Sequence, residues 1–150
     1  MTEYPAEIAA AAKPYGLDPD LLEALVIVES SGRADAFRYE PGYYARYLAN
    51  NPAYEGKNPR RVASSYGLCQ VMYPTALQYG FRRDAEPEML FLPGVNLDLG
   101  ARILSNLLAR YGGNVESALQ AYNGGPGNVG SAATVAYSRK VLGALKGIQG

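Results

Sequence analysis

The chain has 150 residues, of which 48% are hydrophobic and 19% are charged, a composition typical of a single globular domain. Its 14 basic and 14 acidic residues cancel, so no overall positive charge favours nucleic acid or an anionic membrane surface. With no histidine and one cysteine, the chain cannot form a Ser-His or Cys-His nucleophile, an internal disulfide or the usual histidine or thiolate metal sites. Acid–base chemistry must therefore come from Asp, Glu, Lys or Tyr, and we expect no metal and no cofactor.

The N-terminal stretch does not have the pattern of a signal peptide. Glu3 and Glu7 stand where a signal peptide would be basic, and the alanines that follow are only weakly apolar. The longest strongly apolar stretch, residues 21–28, is too short to span a bilayer. If Met1 is the native start, we expect no conventional export and no membrane insertion.

Five helices are predicted from apolar spacing and capping residues. Asp18, Asn96 and Asn114 are the predicted N-caps of the second, third and fourth of them. No segment alternates convincingly between apolar and polar residues over the length of a strand, so the predicted fold class is mainly α. The helices are expected to cover residues 5–12, 19–29, 97–111, 115–123 and 134–145.

A long connection between the second and third helices is rich in Tyr, Pro and Asn. It covers residues 33–66 and is predicted to be a loop, or a loop with short helices. Connections of this length in compact domains are commonly functional or mobile.

Glu29 is the first candidate for chemistry. It ends the second helix and continues the apolar ridge of Leu21 and Leu25 at a spacing of four residues. Burial and the negative end of the helix dipole would both raise its pKa, and a protonated glutamic acid is what the leaving oxygen of a glycosidic bond requires. The alternative is a partly exposed residue in a sequence, "ESSG", that only caps the helix.

Three motifs in order resemble the catalytic core of the lytic transglycosylase SLT family, which is related to goose-type lysozymes. They are "ESSG" from Glu29, "YGLCQVM" from Tyr66 and "AYNGGPGNV" from Ala121, with a leucine-rich helix between the last two. The resemblance covers roughly residues 17–142. It implies a lysozyme-like single domain over residues 1–150, with a cleft between helices and a long loop insert.

The resemblance also implies a reaction and a partner. Glu29 would protonate the bond between N-acetylmuramic acid and N-acetylglucosamine in peptidoglycan strands, then take the proton of the muramyl C6 hydroxyl. The product would carry a 1,6-anhydro ring, formed without water. We expect a monomer that acts on the bacterial cell wall as a phage endolysin, a virion-associated lysin or a domain of a larger cell-wall enzyme.

Five further residues receive roles from the same resemblance. Ser30 would help to orient the site, and Gln70 and Met72 would line the sugar-binding cleft. Tyr122 would hydrogen-bond the catalytic carboxyl, and Asn123 would hold substrate or the following turn. Each has a structural alternative: loop stabilisation for Gln70, core packing for Met72, and a buried tyrosine followed by an asparagine cap for the last pair.

The sequence departs from the family pattern at several positions. Cys69 replaces the usual methionine, Tyr66 replaces a small residue and would reshape a wall of the cleft, and Ala133 stands where many members carry a second acid. The long insert, predicted to form an added wall or lid, supplies aromatic residues that could stack on sugars and arginines that could meet carboxylates. These are Phe37, Tyr39, Tyr43, Tyr44 and Tyr47, and Arg33, Arg38 and Arg46.

Two other functions stay open at this stage. Asp35 or Glu40 in the insert could hold a water opposite Glu29, which would make the protein an inverting hydrolase of the goose-lysozyme kind. The protein could also be a non-catalytic glycan-binding or structural module.

Overall fold

The computed structural model describes residues 2–150, and Met1, the first residue of the predicted domain, lies outside them. Residues 2–150 contain eight α-helices, five short 3-10 or π-helical segments and one small antiparallel sheet. The helices are α1 (Pro5–Ala12), α2 (Pro19–Ser30), α3 (Pro41–Tyr43), α4 (Pro59–Val62), α5 (Tyr73–Gln78), α6 (Pro93–Arg110), α7 (Val115–Gly124) and α8 (Ala132–Gln149). The strands are β1 (Phe37–Tyr39), β2 (Ser64–Tyr66) and β3 (Val71–Met72).

Helix α2 forms where its capping residues and apolar pattern predict. The Asp18 side chain accepts a hydrogen bond from the Asp20 N–H at 2.9 Å, and Pro19 occupies the first turn, where no N–H is needed. The helix ends one residue beyond the predicted boundary, because Ser31 takes a left-handed conformation with φ 55°. Leu22, Leu25 and Val26 are fully buried, so the ridge that leads to Glu29 lies in the core.

The core is built around α2 and α6. Helix α8 packs against both α2 and α7, and α6 packs against α1 and α7. The C-terminal end of α2 is therefore enclosed by other elements. No helix in residues 2–150 is both long enough and apolar enough to cross a membrane.

The helix predictions are confirmed for α1 and α7, whereas the start of α6 was predicted wrongly. Asn114 caps α7 through a hydrogen bond from the Ser117 N–H at 3.1 Å. Asn96 was expected to cap the long helix, but α6 begins at Pro93 and Asn96 lies inside it. Helix α8 is longer than predicted at both ends, starting after the cap residue Ser131.

The small sheet was not predicted. Its strands contain three, three and two residues and pair antiparallel in the order β1–β2–β3. An alternation of apolar and polar residues cannot be recognised over so few positions. In β2 all three residues are buried, including two serines, so this strand does not have the alternating pattern of a half-buried strand. The rest of the insert consists of short helices and turns, as the loop-and-short-helix prediction allowed.

Asn96 fixes the turn between β2 and β3 to the central helix. Its Nδ2 donates to the carbonyl oxygens of Tyr66 and Leu90, both at 2.7 Å, and its Oδ1 accepts from the Cys69 N–H at 2.7 Å. Gly67 is required beside this amide, because a Cβ there would lie 2.6 Å from Nδ2 and the residue has φ 74°. The Asn96 amide thus satisfies buried backbone N–H and C=O groups that would otherwise have no hydrogen-bond partner.

We predict that Asn96→Ala lowers the free energy of unfolding by about 2–4 kcal/mol, since one buried N–H and two buried carbonyls lose this partner. Urea denaturation of the two proteins measures the difference. The matched control is Asn106→Ala on the same helix, where the amide is exposed and donates only to the Tyr79 hydroxyl. A loss no larger than that of the control would contradict the role given to Asn96.

Candidate active site

A cleft of about 640 Å³ opens at the C-terminal end of α2. Its walls come from α2, the insert, β3, α5, α6 and the end of α7. Six of the nine predicted catalytic, binding or secondary site residues line this cleft: Glu29, Glu40, Gln70, Met72, Tyr122 and Asn123. The fold thus brings the three motifs together around one cavity.

Glu29 is a largely buried carboxyl at one side of the cleft. The Tyr137 hydroxyl donates a hydrogen bond to its Oε2 at 2.5 Å. Desolvation raises the pKa of Glu29 from the ordinary 4.5 to about 7, against the opposing effects of the Tyr137 hydrogen bond and the positive charge of Arg38. A substantial fraction of this carboxyl is therefore protonated at neutral pH.

Tyr137, not Tyr122, is the tyrosine that contacts the carboxyl. The Tyr122 hydroxyl donates instead to the Cys69 carbonyl oxygen at 2.7 Å, so the hydrogen bond predicted between Tyr122 and Glu29 was wrong. Tyr137 reaches Glu29 because α8 packs against α2. Tyr137 lies in the last predicted helix, outside the three motifs that assign roles to the other site residues.

Both tyrosines are held in the neutral, hydrogen-donating state. Burial is the main cause that raises the pKa of Tyr122 and of Tyr137, and the negative charge of Glu29 adds to it in both cases. Tyr137 can therefore donate to Glu29 when the carboxyl is charged as well as when it is neutral.

Gln70 is held in place by the turn that Asn96 anchors. Its backbone is left-handed, with φ 49°, and its Nε2 donates to the carbonyl oxygens of Ala36 at 3.2 Å and Gly67 at 3.0 Å. The loop-stabilising alternative is thus correct for the amide nitrogen. In the described chain no hydrogen bond uses the amide oxygen, so a ligand in the cleft could still bind it.

Three residues predicted as possible site residues lie away from the cleft lining. The Ser30 hydroxyl is buried and donates to the Val26 carbonyl oxygen one turn earlier, at 3.0 Å. Asp35 is exposed on the insert. Tyr66 is 1% exposed and donates to the Arg61 carbonyl oxygen at 2.6 Å, so it fills the core and does not form a cleft wall.

The insert contributes one wall of the cleft through five residues, one of which is Ser65 in β2. Tyr43, Tyr47, Arg38 and Glu40 line it, whereas the other aromatic residues and arginines singled out in the insert do not. The Arg38 Nε lies 3.0 Å from the Glu40 Oε1, so the second carboxyl of the cleft is already paired with a cation. The predicted added wall is therefore present, and it carries aromatic rings and one ion pair.

Cys69 is a packing residue. It is fully buried, burial raises the pKa of its thiol well above the ordinary range, and a Cβ at Gly100 would lie 2.6 Å from the Cys69 Cβ. The thiol has neither the exposure nor the thiolate character that reactivity requires. The smaller side chain at this family position therefore accompanies close contact between the turn and α6.

Known proteins resemble this chain in sequence and in fold. The model of the transglycosylase SLT domain matches residues 6–141. The transglycosylase of Enterobacteria phage PRD1 is 32% identical over 138 residues, which cover 90% of this chain and 40% of that protein. The chain thus spans about two fifths of the length of this relative.

Solved structures show the same fold. Lytic transglycosylase Slt from Pseudomonas aeruginosa, solved as an inactive glutamate-to-glutamine mutant, superposes with a TM-score of 0.69 at 22% identity, over 95% of this chain and 23% of that one. The 70 kDa soluble lytic transglycosylase from Escherichia coli gives 0.71 at 18% identity, over 98% and 24%. The predicted mainly α, lysozyme-like fold is confirmed. Since the family match covers nearly the whole chain, the protein belongs to the transglycosylase SLT domain family.

Proposed function

We propose that this chain is a peptidoglycan lytic transglycosylase that cleaves the β-1,4 bond between N-acetylmuramic acid and N-acetylglucosamine and leaves a 1,6-anhydromuramyl end. The observation that carries the proposal is Glu29, a carboxyl with a pKa of about 7 that faces the cleft and accepts a hydrogen bond from Tyr137. Membership of the family supports the same substrate class.

In the first step Glu29 acts as a general acid. Its neutral carboxyl gives its proton to the oxygen between the two sugars, the bond from that oxygen to the muramyl C1 breaks, and positive charge develops on the muramyl ring. Glu29 becomes an anion as this happens. The Tyr137 hydroxyl, 2.5 Å from Oε2, stabilises the new charge more than it stabilised the neutral acid.

In the second step the same residue acts as a base. The Glu29 carboxylate takes the proton of the muramyl C6 hydroxyl, the C6 oxygen bonds to C1, and the 1,6-anhydro ring closes. The carboxyl is protonated again and no water is consumed. A cycle of this kind needs one carboxyl only, which suits a cleft whose other carboxyl, Glu40, is paired with Arg38.

Two alternative functions can be distinguished from this proposal by the products that they would release. A hydrolase would use Glu40 to activate water and would leave reducing muramyl ends. Asp35, the other acid considered for this role, is exposed and does not line the cleft, which disfavours it. A non-catalytic module would bind strands and release no fragments.

We expect Glu29→Gln to lower the release of anhydromuramyl fragments from purified peptidoglycan by roughly 10²–10⁴-fold, because it removes the proton donor. Mass spectrometry of the soluble products measures both rate and outcome. The control is Glu40→Gln, which should keep most of the activity because Glu40 lies in the same cleft but has no step in this cycle. Reducing ends that depend on Glu40 would establish the hydrolase, and no fragments from the wild type would establish the binding module.

The same substitution should stabilise the protein at alkaline pH. Between pH 4.5 and about 7 the unfolded chain loses the Glu29 proton while the folded chain keeps it, so stability falls as the pH rises through this interval. Gln cannot ionise, so Glu29→Gln should raise the free energy of unfolding by up to about 3 kcal/mol above pH 7 and by little below pH 4.5. Urea denaturation at the two ends of the interval tests this; an equal gain at both pH values would show that the carboxyl is not desolvated.

Tyr137→Phe should move the pH dependence of the reaction. The rate needs a protonated Glu29, so it declines as the pH rises through the pKa of that residue, about 7. The Tyr137 hydrogen bond lowers this pKa, so Phe should shift the decline to higher pH while also slowing the reaction. The control is Tyr122→Phe, whose hydroxyl donates to Cys69; an equal shift in this control would assign the role to Tyr122 after all.

A further inference from the structure

A second depression adjoins the cleft on the side of the insert. It consists of two connected hollows of about 430 and 400 Å³ that share Tyr54 and Arg83 in their walls. We call this depression, between the insert and residues 73–87, the lateral groove. Tyr43, Tyr47 and Gln78 line both the cleft and the lateral groove, so the two are separated only by this ridge.

The charges of the lateral groove are unbalanced. Arg61 is neutralised by ion pairs with Glu86 and Glu88, and Asp84 pairs with the neighbouring Arg82. The other two cations in its walls, Lys57 and Arg83, form no ion pair among residues 2–150. Lys57 and Arg83 contribute two positive charges and the Arg61–Glu86–Glu88 cluster contributes one net negative charge, so the groove with its ion pairs has one net positive charge.

The walls between these cations are aromatic and apolar. The rings of Tyr43 and Tyr47 contact each other with their centroids 4.8 Å apart and their planes tilted by 49°, and Tyr47 is 52% exposed at the ridge. Tyr54 is buried in the floor, and Leu77 and Pro74 contribute apolar surface. A ligand that fits would combine short apolar side chains with carboxylates.

We propose that the lateral groove binds the stem peptide carried by the muramyl residues of the substrate, with Arg83 and Lys57 pairing with the carboxylates of that peptide. The proposal rests on the proposed function, because it takes the glycan strand to lie in the cleft. Glycan strands that bear peptides have no charge on their sugars, since the lactyl carboxyl is in amide linkage, so the unpaired cations Arg83 and Lys57 are suited to the peptide and not to further sugars. An extended peptide of five residues spans roughly 17 Å, enough to leave the cleft across the ridge.

Binding without turnover tests this proposal independently of the reaction. The protein is the full chain carrying Glu29→Gln, and the probes are fluorescent soluble glycan strands with their stem peptides and the same strands after their peptides have been removed by an amidase. Fluorescence anisotropy gives the dissociation constant for each probe. The test variant is Arg83→Gln and the control is Arg139→Gln, because Arg139 is exposed, forms no ion pair among residues 2–150 and does not line the groove.

We expect Arg83→Gln to raise the dissociation constant for peptide-bearing strands by about three- to fivefold and that for stripped strands by less than twofold. Arg139→Gln should change neither by more than twofold, and adding Lys57→Gln should enlarge the selective loss. An equal weakening for both probes would mean that the groove binds the sugars or the lactyl carboxylate that the amidase exposes, and no weakening would mean that it binds neither; each result overturns the proposal. If wild type proved to release no anhydromuramyl fragments, the proposed reaction would fail while this binding comparison kept its meaning.

Discussion

The burial of one carboxyl at the end of a core helix is the constraint on which the rest of the site depends. Glu29 continues the ridge of Leu21 and Leu25, which are both buried, and this packing keeps the carboxyl where its anion is poorly solvated. The hydrophobic core thus offsets the cost of holding an acid away from water. Desolvation outweighs both the Tyr137 hydrogen bond and the charge of Arg38, so the pKa of Glu29 is about 7. At this pKa the carboxyl can both give and take a proton near neutral pH.

Two tyrosines form hydrogen bonds at this cleft, one to the carboxyl and one to the backbone of the wall. Tyr137 comes from α8 and acts on the charge of the carboxyl, whereas Tyr122 comes from α7 and bonds the backbone at Cys69. That backbone is also bonded by Asn96, so α6, α7 and the turn that carries Gln70 meet at one peptide segment. The position of the cleft wall is therefore set by buried polar contacts between helices, which fix direction in a way that apolar packing alone does not.

The sequence predicts the parts of this protein that depend on neighbours along the chain. The bounds of α1, the caps of α2 and α7 and the raised pKa expected for Glu29 all follow from residues within one or two helical turns. It does not predict which tyrosine meets the carboxyl, because that depends on how α8 packs against α2. The helix cap predicted at Asn96 is wrong for a related reason. An asparagine before an apolar run has the pattern of a cap, whereas its actual partners, the Tyr66 and Leu90 carbonyl oxygens, are brought to it by the fold.

The insert gives this domain surfaces that are separate from its catalytic core. It is joined to the core by the β1–β2–β3 sheet, with Arg60 over the rings of Phe37 and Tyr39 at 5.7 and 5.1 Å, and it carries neither Glu29 nor Tyr137. Its inner side adds Tyr43, Tyr47 and the Arg38–Glu40 pair to the cleft, and its far side forms the lateral groove. In the proposed function, proton transfer would depend mainly on helix packing, and recognition of the strand would depend on a segment that tolerates changes in length and charge. Changes in the insert would then alter which strands are bound and would act on the acid through the charge of Arg38, whereas the hydrogen bond to the acid comes from α8.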